Sequence, residues 1–131
     1  MEAACRGASE AGGQSLGVLL AGRGEGNQWV SESVREPDLP ARLRRLRDES
    51  NAWLFLPRGL GTMLEIVWMA ESVVKGDVAP RPFVLLGDFW RPTLETALAE
   101  ASNPAGAVAL SQCIRFAATA AEAVRLAVTT P

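Results

Sequence analysis

Thr62 and Glu65, three residues apart and preceded by Gly59 and Gly61, are the residues of this chain whose types and spacing suit chemistry on a charged ligand. Glycines let the backbone turn sharply and come close to a ligand with no Cβ in the way, and the first amides of a helix point outward with partial positive charge. Such a turn can hold a phosphate. Met63, Leu64, Ile66, Val67, Trp68, Met69 and Ala70 surround Glu65, so the helix is apolar nearly all round and this end of it is expected to be buried. A buried carboxylate needs a partner or a task. Thr62-x-x-Glu65 also fits a capping box, in which the two side chains satisfy the first amides of a helix and do nothing more. The residues alone leave both readings open.

The elements that must position these groups are legible on either side. Ala52-Trp53-Leu54-Phe55-Leu56 is short and bulky enough for a buried strand, and strong helix formers run from Met63 to Val74, which gives strand, glycine turn, helix. Upstream, Asp38-Leu39-Pro40 opens a helix to about Glu49, with Asp38 or its neighbour as cap and Pro40 in the first turn. On a helical wheel Leu39, Leu43 and Leu46 form the apolar stripe; Arg42 and Arg47 flank it, and Arg44 and Arg45 point toward water. An arginine placed like Arg42 is ordinarily an edge residue that lays its stem along apolar surface.

At Pro57, Gly59, Gly61, Thr62 and Glu65 the chain resembles the Lonely guy (LOG) family, phosphoribohydrolases of cytokinin riboside monophosphates, whose signature is P-G-G-x-G-T-x-x-E. Arg58 replaces the first glycine after the proline; it either covers the phosphate seat or adds a cation to it. The family's R-x-x-x-M on the preceding helix is matched by Arg42-Leu43-Arg44-Arg45-Leu46, with Leu46 in place of the methionine. The resemblance extends from Met1 to about the C-terminus. It implies catalytic roles for Glu65 and Arg42, phosphate binding by Gly59, Gly61 and Thr62, an additional anion contact at Arg58, and a homodimer. In the family, the residues that resemble Met1 to Ala4 follow a strand, a helix and a second strand with an earlier glycine-rich turn. The chain is therefore expected to be an N-terminally truncated member that starts at an internal methionine.

Elsewhere, Met1 to Ala11 reads as a helix stopped by Gly12-Gly13, and Gln14 to Leu20 as a strand. Gly22, Gly24 and Gly26 tempt a dinucleotide reading, but the spacing is G-x-G-x-G and no clear helix follows, so a flexible surface loop is the better reading. Trp29-Val30 reads as a short extended piece and Ser31 to Glu36 as its polar continuation. Pro82 to Gly87 reads as a buried strand, Thr93 to Ser102 as an amphipathic helix, Asn103-Pro104-Ala105-Gly106 as a break, Cys113 to Ala117 as a last strand, and Thr119 as the cap of a closing helix from Ala120 to Val128. Trp68, Phe89 and Trp90 fit either a base pocket or core and dimer contacts.

The totals narrow the chemistry further. With 131 residues, 48% of them hydrophobic, and a net charge of -2, the chain is read as a single domain over 1–131 with no general pull toward nucleic acid or acidic membrane. The absence of histidine and the isolation of Cys5 and Cys113 argue against a metal centre. Lys75, the only lysine, lies in a polar helix end and suits a C-terminal charge better than a Schiff-base nucleophile. No cofactor is required. Two lone cysteines and no apolar run of membrane-spanning length set the expected compartment as the reducing cytoplasm.

Alternating strands and helices give an α/β fold, Rossmann-like and three-layered, with a mostly parallel sheet; the resemblance implies that the first strands of that sheet are absent from the chain. The activity that the resemblance implies is hydrolysis of the N-glycosidic bond of purine riboside 5'-monophosphates, N6-modified ones included, to free base and ribose 5-phosphate. The alternatives are a nucleotide-binding or sensor module of the same fold that does not cleave its ligand, and a structural protein in which Thr62 and Glu65 only cap a helix.

Overall fold

A computed structural model describes residues 1–129. It is a mixed α/β structure whose strands pair in parallel, and among the described residues it has six helices and two sheets. The backbone divides into two compact units, Met1–Glu49 and Ser50–Pro131.

The first unit holds α1 (Glu2–Glu10), β1 (Leu16–Leu20), β2 (Glu32–Glu36) and α2 (Leu39–Asp48). The two strands pair in parallel from Leu16 with Glu32 to Leu20 with Glu36. β2 falls on the polar continuation Ser31 to Glu36, whereas Trp29-Val30, expected to be extended, is not strand; the backbone of β2 completes the ladder of β1 while its side chains carry little apolar signal. The glycine-rich segment after β1 leads into β2 and not into a helix, so no dinucleotide fingerprint forms there. Arg35 ties that segment down, donating to the Gly24 carbonyl at 3.0 Å and pairing with Glu25 at 2.6 Å. α2 starts as its sequence dictates: the Asp38 carboxylate accepts from the Ala41 amide at 2.7 Å and Pro40 sits in the first turn. Leu43 is its buried residue.

The second unit holds β3 (Trp53–Phe55), α3 (Leu60–Lys75), β4 (Phe83–Leu86), α4 (Arg91–Ala99), α5 (Pro104–Ser111), β5 (Ile114–Ala117) and α6 (Ala120–Val128). Its sheet has the order β3-β4-β5, parallel throughout, with Phe55 opposite Leu85 and Leu85 opposite Phe116. Strand alternation splits the core. Val84 and Ala117 face α6 and pack with Ala123, Leu86 and Leu126. Phe83, on the other face, meets Phe55 with ring centroids 4.8 Å apart and Trp53 edge-on at 5.9 Å. Thr119 caps α6 through the Glu122 amide at 3.2 Å, and the Glu122 carboxylate reaches back to the Ala118 amide at 2.9 Å.

α5 stands where a break was expected. Asn103 is its N-cap, accepting from the Gly106 amide at 3.1 Å, and Pro104 fills the first turn, which is the signature of a helix start. The Asn103 amide also donates to the Val74 carbonyl at 2.7 Å and so bolts α5 to the last turn of α3. α4 begins at Arg91, two residues before the position read from sequence.

Candidate functional site

α3 begins three residues earlier than its helix formers suggest. Its N-cap is Gly59, extended and without a side-chain hydrogen bond, and Leu60 and Gly61 are its first two residues. The Thr62 and Met63 amides both turn back to the Gly59 carbonyl, at 3.1 and 3.2 Å. Thr62 is thus the third residue of the helix and Glu65 the sixth, so the pair does not form a capping box. What remains is an uncapped helix start following directly on β3, at the carboxyl edge of a parallel sheet, where ligands of such sheets bind.

Gly61, Thr62 and Glu65 share one side of α3, since residues three and four apart lie one above the other. The rise from Gly61 to Glu65 is about 6 Å along the axis, a separation that one ribose ring can bridge. Glu65 is half-buried beside the fully buried Ile66 and Met69 and is engaged in an interaction. The Thr62 amide is used within the helix, which leaves its hydroxyl, together with the Leu60 and Gly61 amides, as the groups able to meet an anion. A Cβ built on Gly59 or Gly61 would meet nothing within 4 Å. The backbone there is open on its outer side.

Arg58 is exposed, and among the described residues it makes no ion pair. Arg42 lies in the first unit, half-buried, with its Nε donating to the Val18 carbonyl of β1 at 2.9 Å. It is fixed at its base and is not an arginine dangling in water. Arg45, placed toward water by the helical wheel, is held by Glu36 of β2 and by Glu49, the latter at 2.7 Å. The hydrogen bond and charge of Glu36, with those of Glu49, raise its guanidinium pKa above the ordinary value, against the opposing effect of burial. Arg45 is committed to its own unit.

The aromatic residues divide by environment. Trp90 is core, 6% exposed, and its indole N–H donates to the Leu56 carbonyl at 3.4 Å. Trp68 is half-buried with an unpaired indole nitrogen, a feature it shares with buried Trp53. Phe89 stands out of the surface. It is the sequence neighbour of Trp90 and its ring stands edge-to-face on that indole; the sequence offers both for a base pocket or for core and dimer contacts, and the structure puts Trp90 in the core and Phe89 at the surface. Among the described residues no cluster of three acidic, cysteine or histidine side chains suits a metal ion, and no helix is long and apolar enough to cross a membrane.

A family model described as "Possible lysine decarboxylase", covering LOG-like proteins, matches residues 1–126. No curated protein matches the chain. The decarboxylase description implies pyridoxal phosphate on a lysine. Lys75, the only one in the chain, pairs with Glu71 at 3.5 Å in the last turn of α3, beside the left-handed Gly76 that ends the helix. It is an exposed helix-end charge at the opposite end of α3 from the open amides, and the residues present do not fit that cofactor.

Proposed function

Since the chain belongs to this LOG-like family, described as possible lysine decarboxylase, we propose that it hydrolyses the N-glycosidic bond of purine riboside 5'-monophosphates. The family points to phosphoribohydrolase-type chemistry in general, and the single observation that carries the finer reading is the start of α3. There an uncapped helix terminus and a half-buried carboxylate lie on one side of the same helix, a ribose apart.

In this reading the 5'-phosphate sits on the amides of Leu60 and Gly61, with the Thr62 hydroxyl as a further donor. Each charge-assisted contact contributes about 1.5 to 3 kcal/mol. Arg58 adds a cation at the rim. The bond between the anomeric carbon and the purine nitrogen breaks with its electron pair going to the base. Glu65 stabilises the positive charge that builds on the sugar and directs water to the anomeric carbon; the base leaves with a proton, and ribose 5-phosphate remains. Arg42 is included as an anion or leaving-group contact on the strength of the family motif alone. The chemistry needs no metal or redox cofactor. The proposal extends to a cytoplasmic setting, which two free cysteines suit, and to a homodimer, which the exposed Leu60, Leu64 and Val67 on α3 support.

Arg58, in place of the signature glycine, favours one second reading, a module of the same fold that binds the nucleotide without cleaving it. Incubation with AMP, an N6-modified AMP and adenosine separates the two. Free base and ribose 5-phosphate from the monophosphates, with adenosine untouched, fits the enzyme. Binding of AMP with no product fits the second reading.

A further inference from the structure

Phe89 lies in the loop after β4, on the strand next to the one that feeds the open end of α3. The register ends with Phe55 opposite Leu85, so the segment leading from β3 to the glycine turn leaves the sheet beside the end of β4, with neighbouring strands about 4.8 Å apart. Gly87 turns the chain outward at a φ of 74°, a conformation that suits glycine, and its amide is tied to the Ala117 carbonyl at 2.7 Å.

The rest of the loop is held at every point except Phe89. Asp88 pairs with Arg91 at 2.7 Å, and the Arg91 guanidinium lies over the Phe116 ring at 3.8 Å. The Trp90 indole is bonded to the Leu56 carbonyl, the last residue before Pro57 and the glycine turn. Phe89 itself is 64% exposed, and its ring stands edge-to-face on Trp90, with centroids 4.7 Å apart and planes at 87°. A lone surface phenylalanine is unremarkable. A phenylalanine whose neighbours are all fastened, braced by a ring that is itself bonded to the approach of the phosphate turn, is a pre-set aromatic face.

We propose that Phe89 is the platform on which the purine base stacks, which makes it a specificity-determining residue. The inference rests on the reading of the α3 terminus as a phosphate site. The ligand class follows from the chemistry: a flat heteroaromatic base joined to a sugar phosphate, its phosphate on the amides of α3 and its π-face on Phe89. Stacking of this kind is tolerant of the base, so Phe89 selects for a base and against bare ribose 5-phosphate more than it selects among purines.

Calorimetric titration of the full chain with AMP and with ribose 5-phosphate, wild type against Phe89→Ala, Phe89→Leu and Phe89→Trp, tests this. The wild type is expected to bind AMP about ten-fold or more tightly than ribose 5-phosphate. Phe89→Ala and Phe89→Leu should lose most of that ratio with ribose 5-phosphate binding unchanged, and Phe89→Trp should keep it. Retention of the full ratio in Phe89→Ala and Phe89→Leu would overturn the stacking role and leave the phosphate site standing. No binding of either ligand by the wild type would overturn both. A lower molecular mass of Phe89→Leu in light scattering, with the ratio unchanged, would mark Phe89 as a contact between copies and also reject the proposal.

Discussion

Gly106 approaches Val74 so closely that a Cβ on the glycine would stand 2.1 Å from the Val74 carbonyl oxygen. The contact joins the first turn of α5 to the last turn of α3, where Asn103 also bonds the same carbonyl. Gly106→Ala must push two helix backbones apart, and a loss of about 1 to 3 kcal/mol or more is expected. Urea unfolding measures it. An unchanged midpoint would mean that the two helices do not meet at this distance.

Gly61→Ala is the opposite case. Nothing lies within 4 Å of the added methyl, and alanine is the better helix former by up to about 1 kcal/mol. The variant should be as stable as the wild type, or slightly more so. The methyl nevertheless occupies space over the open amides, so binding of ribose 5-phosphate should weaken by about ten-fold, roughly the loss of one ordinary contact. Equal stability with equal binding would remove the phosphate from this turn.

Arg58→Ala separates the two things that an arginine does at the signature glycine. As a cation at the rim, its loss should weaken ribose 5-phosphate binding a few-fold in dilute buffer, and the difference should fade as salt is added. Tighter binding by Arg58→Ala at all salt concentrations would identify the side chain as a cover over the site.

The alkaline limb of the stability curve should report Cys113. Its side chain, just before β5, is buried, and burial pushes the thiol pKa up, partly offset by the charge of Arg115. The unfolded chain ionises this thiol near the ordinary value of about 8.5 while the folded chain does so later. Stability is therefore level below that value and falls as pH rises through the folded pKa. With no tyrosine and one lysine in the chain, few other groups titrate there. Unfolding free energies from pH 7 to 10 should slope downward for the wild type and flatten in Cys113→Ala; equal slopes would refute it.

Much of this architecture is written in local signals. Asp38 with Pro40 and Thr119 with Glu122 mark helix starts by chemistry that acts within four residues, and α2 and α6 begin where those signals stand. The misread stretches are those where a residue type has two uses. Asn103-Pro104 and Gly106 look like a breaker, yet the first two are a cap and a first-turn proline, and the glycine answers the close approach to Val74. Gly61 has the residue type of a turn and lies in the helix. β2 and the capture of Arg45 by Glu36 depend on partners brought in by the fold, and a wheel drawn on one helix cannot contain them. The candidate site divides the same way. The glycines and Glu65 stand in sequence order, whereas Phe89 joins them only through the pairing of β3 with β4 and the bond from Trp90 to Leu56.

Release of adenine from AMP by Glu65→Gln, set beside the wild type at equal concentration and equal thermal stability, tests the central claim most directly. The substitution keeps the shape of the side chain and removes its charge, so AMP should still bind while adenine release falls by about 10²-fold or more. Adenine released by Glu65→Gln at the wild-type rate would contradict it.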